Sequence, residues 1–196
     1  MLKYISDRIT YKLVKYTHGD EYRHIALLYG INMAVYTIIS TLGLLGVGWL
    51  LKAPFASMII IAVYYFNQTV GGGFHANTHI KCFLTMTLFL VAGVLLCKLD
   101  IPESVLCIIG LFSLCCLFFH PVTLHPKRRY LKDKLLVFVK RSRILVVFEC
   151  MVLLVFFFFG VDICPYAMAL LFSATSRIAA YFSKDTVSYS RKESSK

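Results

Sequence analysis

The chain has 196 residues, 59% of them hydrophobic and 16% charged, with a formal net charge of +11. A soluble domain carries roughly 45–50% apolar and about 25% charged residues, so the composition argues against an ordinary soluble globule and points to an integral membrane protein. No polar block is large enough to fold alone, and one domain is expected over 1–196: a cytoplasmic segment 1–24, a bundle 25–182 and a tail 183–196.

Residues 1–16 carry Leu2, Ile5, Ile9, Leu13 and Tyr16 at spacings of three and four, with Lys3, Arg8, Lys12 and Lys15 on other faces. That pattern predicts an amphipathic helix, lying on a membrane surface or covering part of the bundle. The first 24 residues are charged throughout and lack the short apolar core and small-residue cleavage site of a secretory signal. Two runs without Asp, Glu, Lys or Arg follow, 25–51 and 53–80. Each exceeds the roughly 20 apolar residues that cross a bilayer as a helix.

Breaks at Lys52–Pro54, at the glycines of 71–73, at Lys98–Glu103, across 120–143 and at Gly160–Pro165 leave six apolar segments: 25–51, 54–70, 82–97, 104–119, 144–161 and 163–182. The predicted fold is all-α and polytopic, with about six transmembrane helices; four full spans plus two partial ones is the alternative, because the third and fourth segments are short. If the N-terminus is cytoplasmic and the spans alternate, nineteen of the 21 Lys and Arg residues fall inside and only Lys52 and Lys98 outside. This positive-inside bias predicts a multi-pass protein of the bacterial cell membrane with both termini, the 71–82 stretch and the 120–143 loop in the cytoplasm.

That loop holds eight basic residues and one acid, Asp133. Anionic lipid head groups explain such a cluster; so does recruitment of an acidic substrate by Lys127, Arg128, Arg129, Lys132 and Lys134. Nucleic acid is not an expected partner, and a homodimer is compatible with a small polytopic protein. Of the seven cysteines, Cys97, Cys107, Cys115, Cys116 and Cys150 lie in apolar runs or at their edges, where a thiol behaves as a small hydrophobe.

The densest chemistry is "GGGFHANTHIKC", residues 71–82. On one continuous helix His75, His79 and Cys82 would share a face, as zinc ligands do, although the glutamate of H-E-x-x-H is missing. A metal-handling protein or small-solute transporter using these three ligands is therefore one reading. The other is nucleophilic catalysis by a Cys82 thiolate with a neighbouring base. Seven helical residues would separate His75 from Cys82 by about 10.5 Å of axial rise, so a working pair requires a turn between them. Gly71, Gly72 and Gly73 permit one, Asn77 or Thr78 can start the next helix, and N–H groups near the glycines or the helix start can hold an oxyanion. Spacing alone does not choose between His75 and His79. The third reading is an ordinary glycine-rich turn between helices.

The "GGGFHA" segment with Cys82 seven residues after His75 resembles the signature of the accessory gene regulator protein B (AgrB) family. So do "YGINMAVYTIISTLG" upstream and the basic stretch from His120 to Arg143. Proteins of that family are membrane cysteine endopeptidases that process the precursor of a secreted autoinducing peptide in Gram-positive bacteria. The resemblance implies Cys82 as nucleophile and His75 as its base. It implies a substrate with an amphipathic start and an acidic C-terminal tail, no cofactor, and an acyl-enzyme that an internal cysteine of the peptide resolves as a thiolactone. One departure concerns substrate binding: an arginine is common in the family about seven residues before the histidine, and here Gln68 stands there, beside Asn67. Glu149, an acid inside the fifth segment, is expected to pair with a neighbouring base.

Overall fold

The computed structural model of the chain describes residues 21–73, 79–120, 122–124, 135–182 and 187–188. Among them are six helices: α1 Glu21–Leu50, α2 Pro54–Gly71, α3 His79–Leu96, α4 Glu103–Phe119, α5 Leu135–Phe158 and α6 Cys164–Phe182. A two-residue antiparallel pairing joins β1, Thr123–Leu124, to β2, Val187–Ser188. The described residues are thus all-α apart from this short ladder. The amphipathic pattern of 1–16 lies outside the described residues.

Backbone contacts divide the chain into two units, 1–46 and 47–196. The first contributes most of α1, in which Thr41 returns its hydroxyl to the Thr37 carbonyl at 2.8 Å. The second holds α2–α6.

The helix ends follow local chemistry. Pro54 opens α2, at a position where its missing N–H is no loss. Glycine at the left-handed C′ position ends α5: Gly160 has φ +63° and the Val161 N–H reaches back to the Phe156 carbonyl at 3.0 Å. The Asp162 carboxylate then accepts the Cys164 N–H at 3.0 Å and starts α6.

α1 and α3 begin a few residues earlier than expected, and one boundary differs more. The cations at 120–143 suggest that the fifth segment begins at 144, yet α5 begins at Leu135. Val139, Ser142, Leu145, Val146, Glu149 and Leu153 are buried in one stripe at helical spacing, while Lys140, Arg141 and Arg143 are exposed on the other side. The charges mark a solvated face of the helix, not its end.

Within the second unit α6 is the centre. It is buried along most of its length and rich in small residues, among them Ala167, Ala169, Ser173, Ala174, Ser176 and Ala180, which let neighbouring helices approach closely. It packs against α2, α3 and α4, and α5 against α2 and α4. Leu114 and Leu117 of α4, Val146 and Leu153 of α5, and Tyr166, Leu170 and Ala174 of α6 form the core. Glycines fit the large partners: a Cβ on Gly93 would come within 2.8 Å of the Phe172 ring. The Lys98 ammonium donates to the Leu51 carbonyl at 3.0 Å, so the α1–α2 and α3–α4 turns meet at one end. At other helix ends, His120 packs edge-on against Tyr181, and Arg143 lies over Phe118. Among the described residues, no helix is long and apolar enough to cross a membrane.

Candidate active site

The end of α2 and the start of α3 converge on α6. Cys82 is the fourth residue of α3 and is partly buried. It forms part of the wall of a cavity of about 160 Å³ lined by Tyr64 of α2, Met86 and Phe89 of α3, and Ser176 and Ala179 of α6, among others. His79 is the first described residue of α3. His75, Asn77 and Thr78 lie outside the described residues, as do Lys127, Arg128, Arg129, Lys132 and Lys134 of the basic loop.

The glycines have distinct structural roles. Gly71 is the last residue of α2, and a Cβ there would lie 2.1 Å from the Arg177 guanidinium carbon. Gly72 has φ +70°, a left-handed conformation suited to glycine, and its N–H donates to the Gln68 carbonyl at 3.0 Å. A Cβ on Gly73 would meet the Gln68 side-chain amide at 2.2 Å. The turn is therefore built over two polar side chains that a larger residue would displace.

Those side chains belong to a buried network that the sequence reading largely missed. Arg177, only 1% exposed, donates to the Asn67 carbonyl at 3.0 Å, to Asn67 Oδ1 at 3.2 Å and to Ser142 Oγ at 2.9 Å. Asn67 in turn donates to Glu149 Oε1 at 2.5 Å. Glu149 is thus connected to a base, but through Asn67. Gln68 donates to Ser176 Oγ at 2.8 Å, and the Tyr64 hydroxyl donates to the same oxygen at 3.3 Å. Gln68 thereby stands behind a residue of the cavity wall. Arg177, counted by charge with the cytoplasmic cations, is an interior residue. The signal for it was present: an arginine and a glutamate in two apolar segments are costly unless they share a network.

All seven cysteines are free. Among the described residues, no group of three His, Cys, Asp or Glu side chains is placed to hold a metal ion.

The sequence profile of one family, Accessory gene regulator B, matches residues 6–183. The chain belongs to the AgrB family. No curated protein and no solved structure matches it. AgrB membership is consistent with a role in processing a quorum-sensing peptide. The AgrB match extends over the glycine turn, Cys82, the basic loop and Arg177 alike, so the network and the cavity both lie within the family's region.

Proposed function

We propose that the chain is a membrane-embedded cysteine endopeptidase that cleaves the C-terminal part of a quorum-sensing peptide precursor at the cytoplasmic face. The observation that carries this reading is Cys82 in the first turn of α3, on the wall of an apolar cavity. Membrane embedding is supported by the surface. Trp49, Leu50, Phe55, Phe158 and Phe159 are each 75–82% exposed, and Leu42, Leu88, Ile108, Phe112 and Ile144 are exposed on helix flanks. Monomeric soluble proteins rarely display so much apolar area, whereas exposed aromatic rings at helix ends suit the edge of a bilayer.

In this mechanism the Cys82 thiol gives its proton to His75, and the thiolate attacks the carbonyl carbon of the scissile bond. The carbonyl electron pair moves to oxygen, where N–H groups of the first turn of α3 stabilise it. The Gly72 N–H is already held by Gln68, which favours the helix start over that glycine as the donor. As the pair returns, the C–N bond breaks and the departing amine takes the proton from the imidazolium, leaving a thioester on Cys82. A cysteine thiolate within the peptide then attacks the thioester, closing a thiolactone and releasing Cys82. The basic loop, with Lys127, Arg128, Arg129, Lys132 and Lys134, holds the acidic tail, and Gln68 supports the substrate site through Ser176.

The choice of base has a direct test. The chain is co-expressed with the peptide precursor of the adjacent reading frame, and the released tail is measured by mass spectrometry. His75→Ala is expected to lower release by at least about a hundredfold, the usual range for a general base, and His79→Ala to leave most of it. The reverse pattern transfers the role to His79.

A further inference from the structure

We infer that the cavity beside Cys82 is the specificity pocket of the enzyme and takes an apolar side chain of leucine-to-phenylalanine size from the residue whose carbonyl Cys82 attacks. The inference rests on the reading of Cys82 as nucleophile and adds to it the chemical class of the acyl residue.

Position comes first. Cys82 is part of the cavity wall, so a peptide carbonyl brought to its sulfur leaves its own side chain beside the opening. Size agrees as well. The volume is about 160 Å³, and an apolar cavity of roughly 150 Å³ takes up benzene. The walls are then decisive. Met86, Phe89 and Ala179 contribute hydrocarbon, and Phe89 is braced by stacking on Phe172 at 4.9 Å between ring centroids.

Every hydroxyl on the wall is engaged within the protein. Tyr64 donates to Ser176, Thr85 to the Lys81 carbonyl at 2.9 Å, and Thr175 to the Leu171 carbonyl at 2.7 Å. Ser176 accepts from both Tyr64 and Gln68. With those donors committed, an aspartate side chain entering the cavity would lose water without gaining a matched donor, whereas an apolar one has no such hydration to lose. The entrance is bordered by Thr175 and Ala179, the two exposed residues of the lining.

Tripeptidyl chloromethyl ketones that differ only in their last residue test this on the full chain. In the labelling step the Cys82 sulfur displaces chloride from the methylene carbon, forming a thioether and releasing chloride and the thiol proton; mass spectrometry of the Cys82 peptide reads the rate. The reagent ending in phenylalanine is expected to label Cys82 at least about tenfold faster than those ending in glycine or aspartate, the discrimination an apolar pocket supplies. Ala179→Phe fills the entrance from an exposed position and is expected to bring the phenylalanine-to-glycine ratio close to one.

Equal rates for the phenylalanine and glycine reagents in the unaltered chain overturn the pocket without relying on any variant. An undiminished ratio in Ala179→Phe overturns it too. If the peptidase reading fails instead, precursor cleavage persists in Cys82→Ala while the reagent preference at Cys82 in the unaltered chain is unaffected, so the two failures are told apart.

Discussion

Cys82→Ala is expected to reduce release of the precursor's C-terminal tail by at least about a thousandfold, the order of loss when a catalytic pair loses its nucleophile. Fold cannot account for such a loss. Cys82 is only partly buried and is not among the core residues of the bundle, so removing its sulfur leaves α3 and its packing in place. Cys97, Cys107, Cys115, Cys116 and Cys150 provide the contrast. None borders the cavity, and alanine at any of them is expected to leave cleavage within about threefold once expression is matched, since each acts as a small apolar group. Quantifying the released tail across this series separates a reactive thiol from thiols that merely fill space.

Arg177→Met is expected to destabilise the bundle by about 3–5 kcal/mol, the cost of breaking a buried charged network from one side. At about 2–4 °C per kcal/mol for a chain of this size, the thermal midpoint falls by on the order of 10 °C. The loss has identifiable parts: the guanidinium bonds to Asn67 and Ser142 disappear, and Glu149, 4% exposed, is left with Asn67 but no cation behind it. Pairing Arg177→Met with Glu149→Leu removes both polar ends, and the double variant is expected to recover most of the stability. Gly71→Ala acts on the same group from the opposite side. Its Cβ would sit 2.1 Å from a planar guanidinium carbon held by three hydrogen bonds, so α2 or α6 must shift. Thermal unfolding of the three variants reads each effect directly. A midpoint unchanged in Arg177→Met shows that the network contributes nothing to stability.

Much of this was legible in the sequence. Apolar segments bounded by Pro54, the glycines, Lys98–Glu103 and Gly160 translated into α2, α3, α4 and α6 to within three residues at each end, because proline, glycine and charge clusters act locally on the backbone. The start of α5 was not legible from charge, since Lys140, Arg141 and Arg143 share a helix with a buried stripe and only the stripe's period reveals it. At the site, axial rise says that a His75–Cys82 pair requires a turn between them, and residues 74–78 lie outside the described ones. That Gly71 and Gly73 make room for Arg177 and Gln68 did not follow, because those contacts join residues more than a hundred positions apart or depend on the path of the turn. Nor did sequence spacing connect Asn67 to both Glu149 and Arg177. In the AgrB family an arginine is common where this chain has Gln68; here a guanidinium reaches the neighbouring Asn67 from α6.

Covalent capture at Cys82 bears on the mechanism most directly. A precursor whose internal cysteine is replaced by alanine cannot close the ring, so the thioester persists until water removes it. Rapid acid quenching followed by mass spectrometry is expected to find the peptide, minus its acidic tail, attached to Cys82 and released by hydroxylamine. Tail release with Cys82 unmodified at every time point, and undiminished in Cys82→Ala, contradicts the acyl-enzyme.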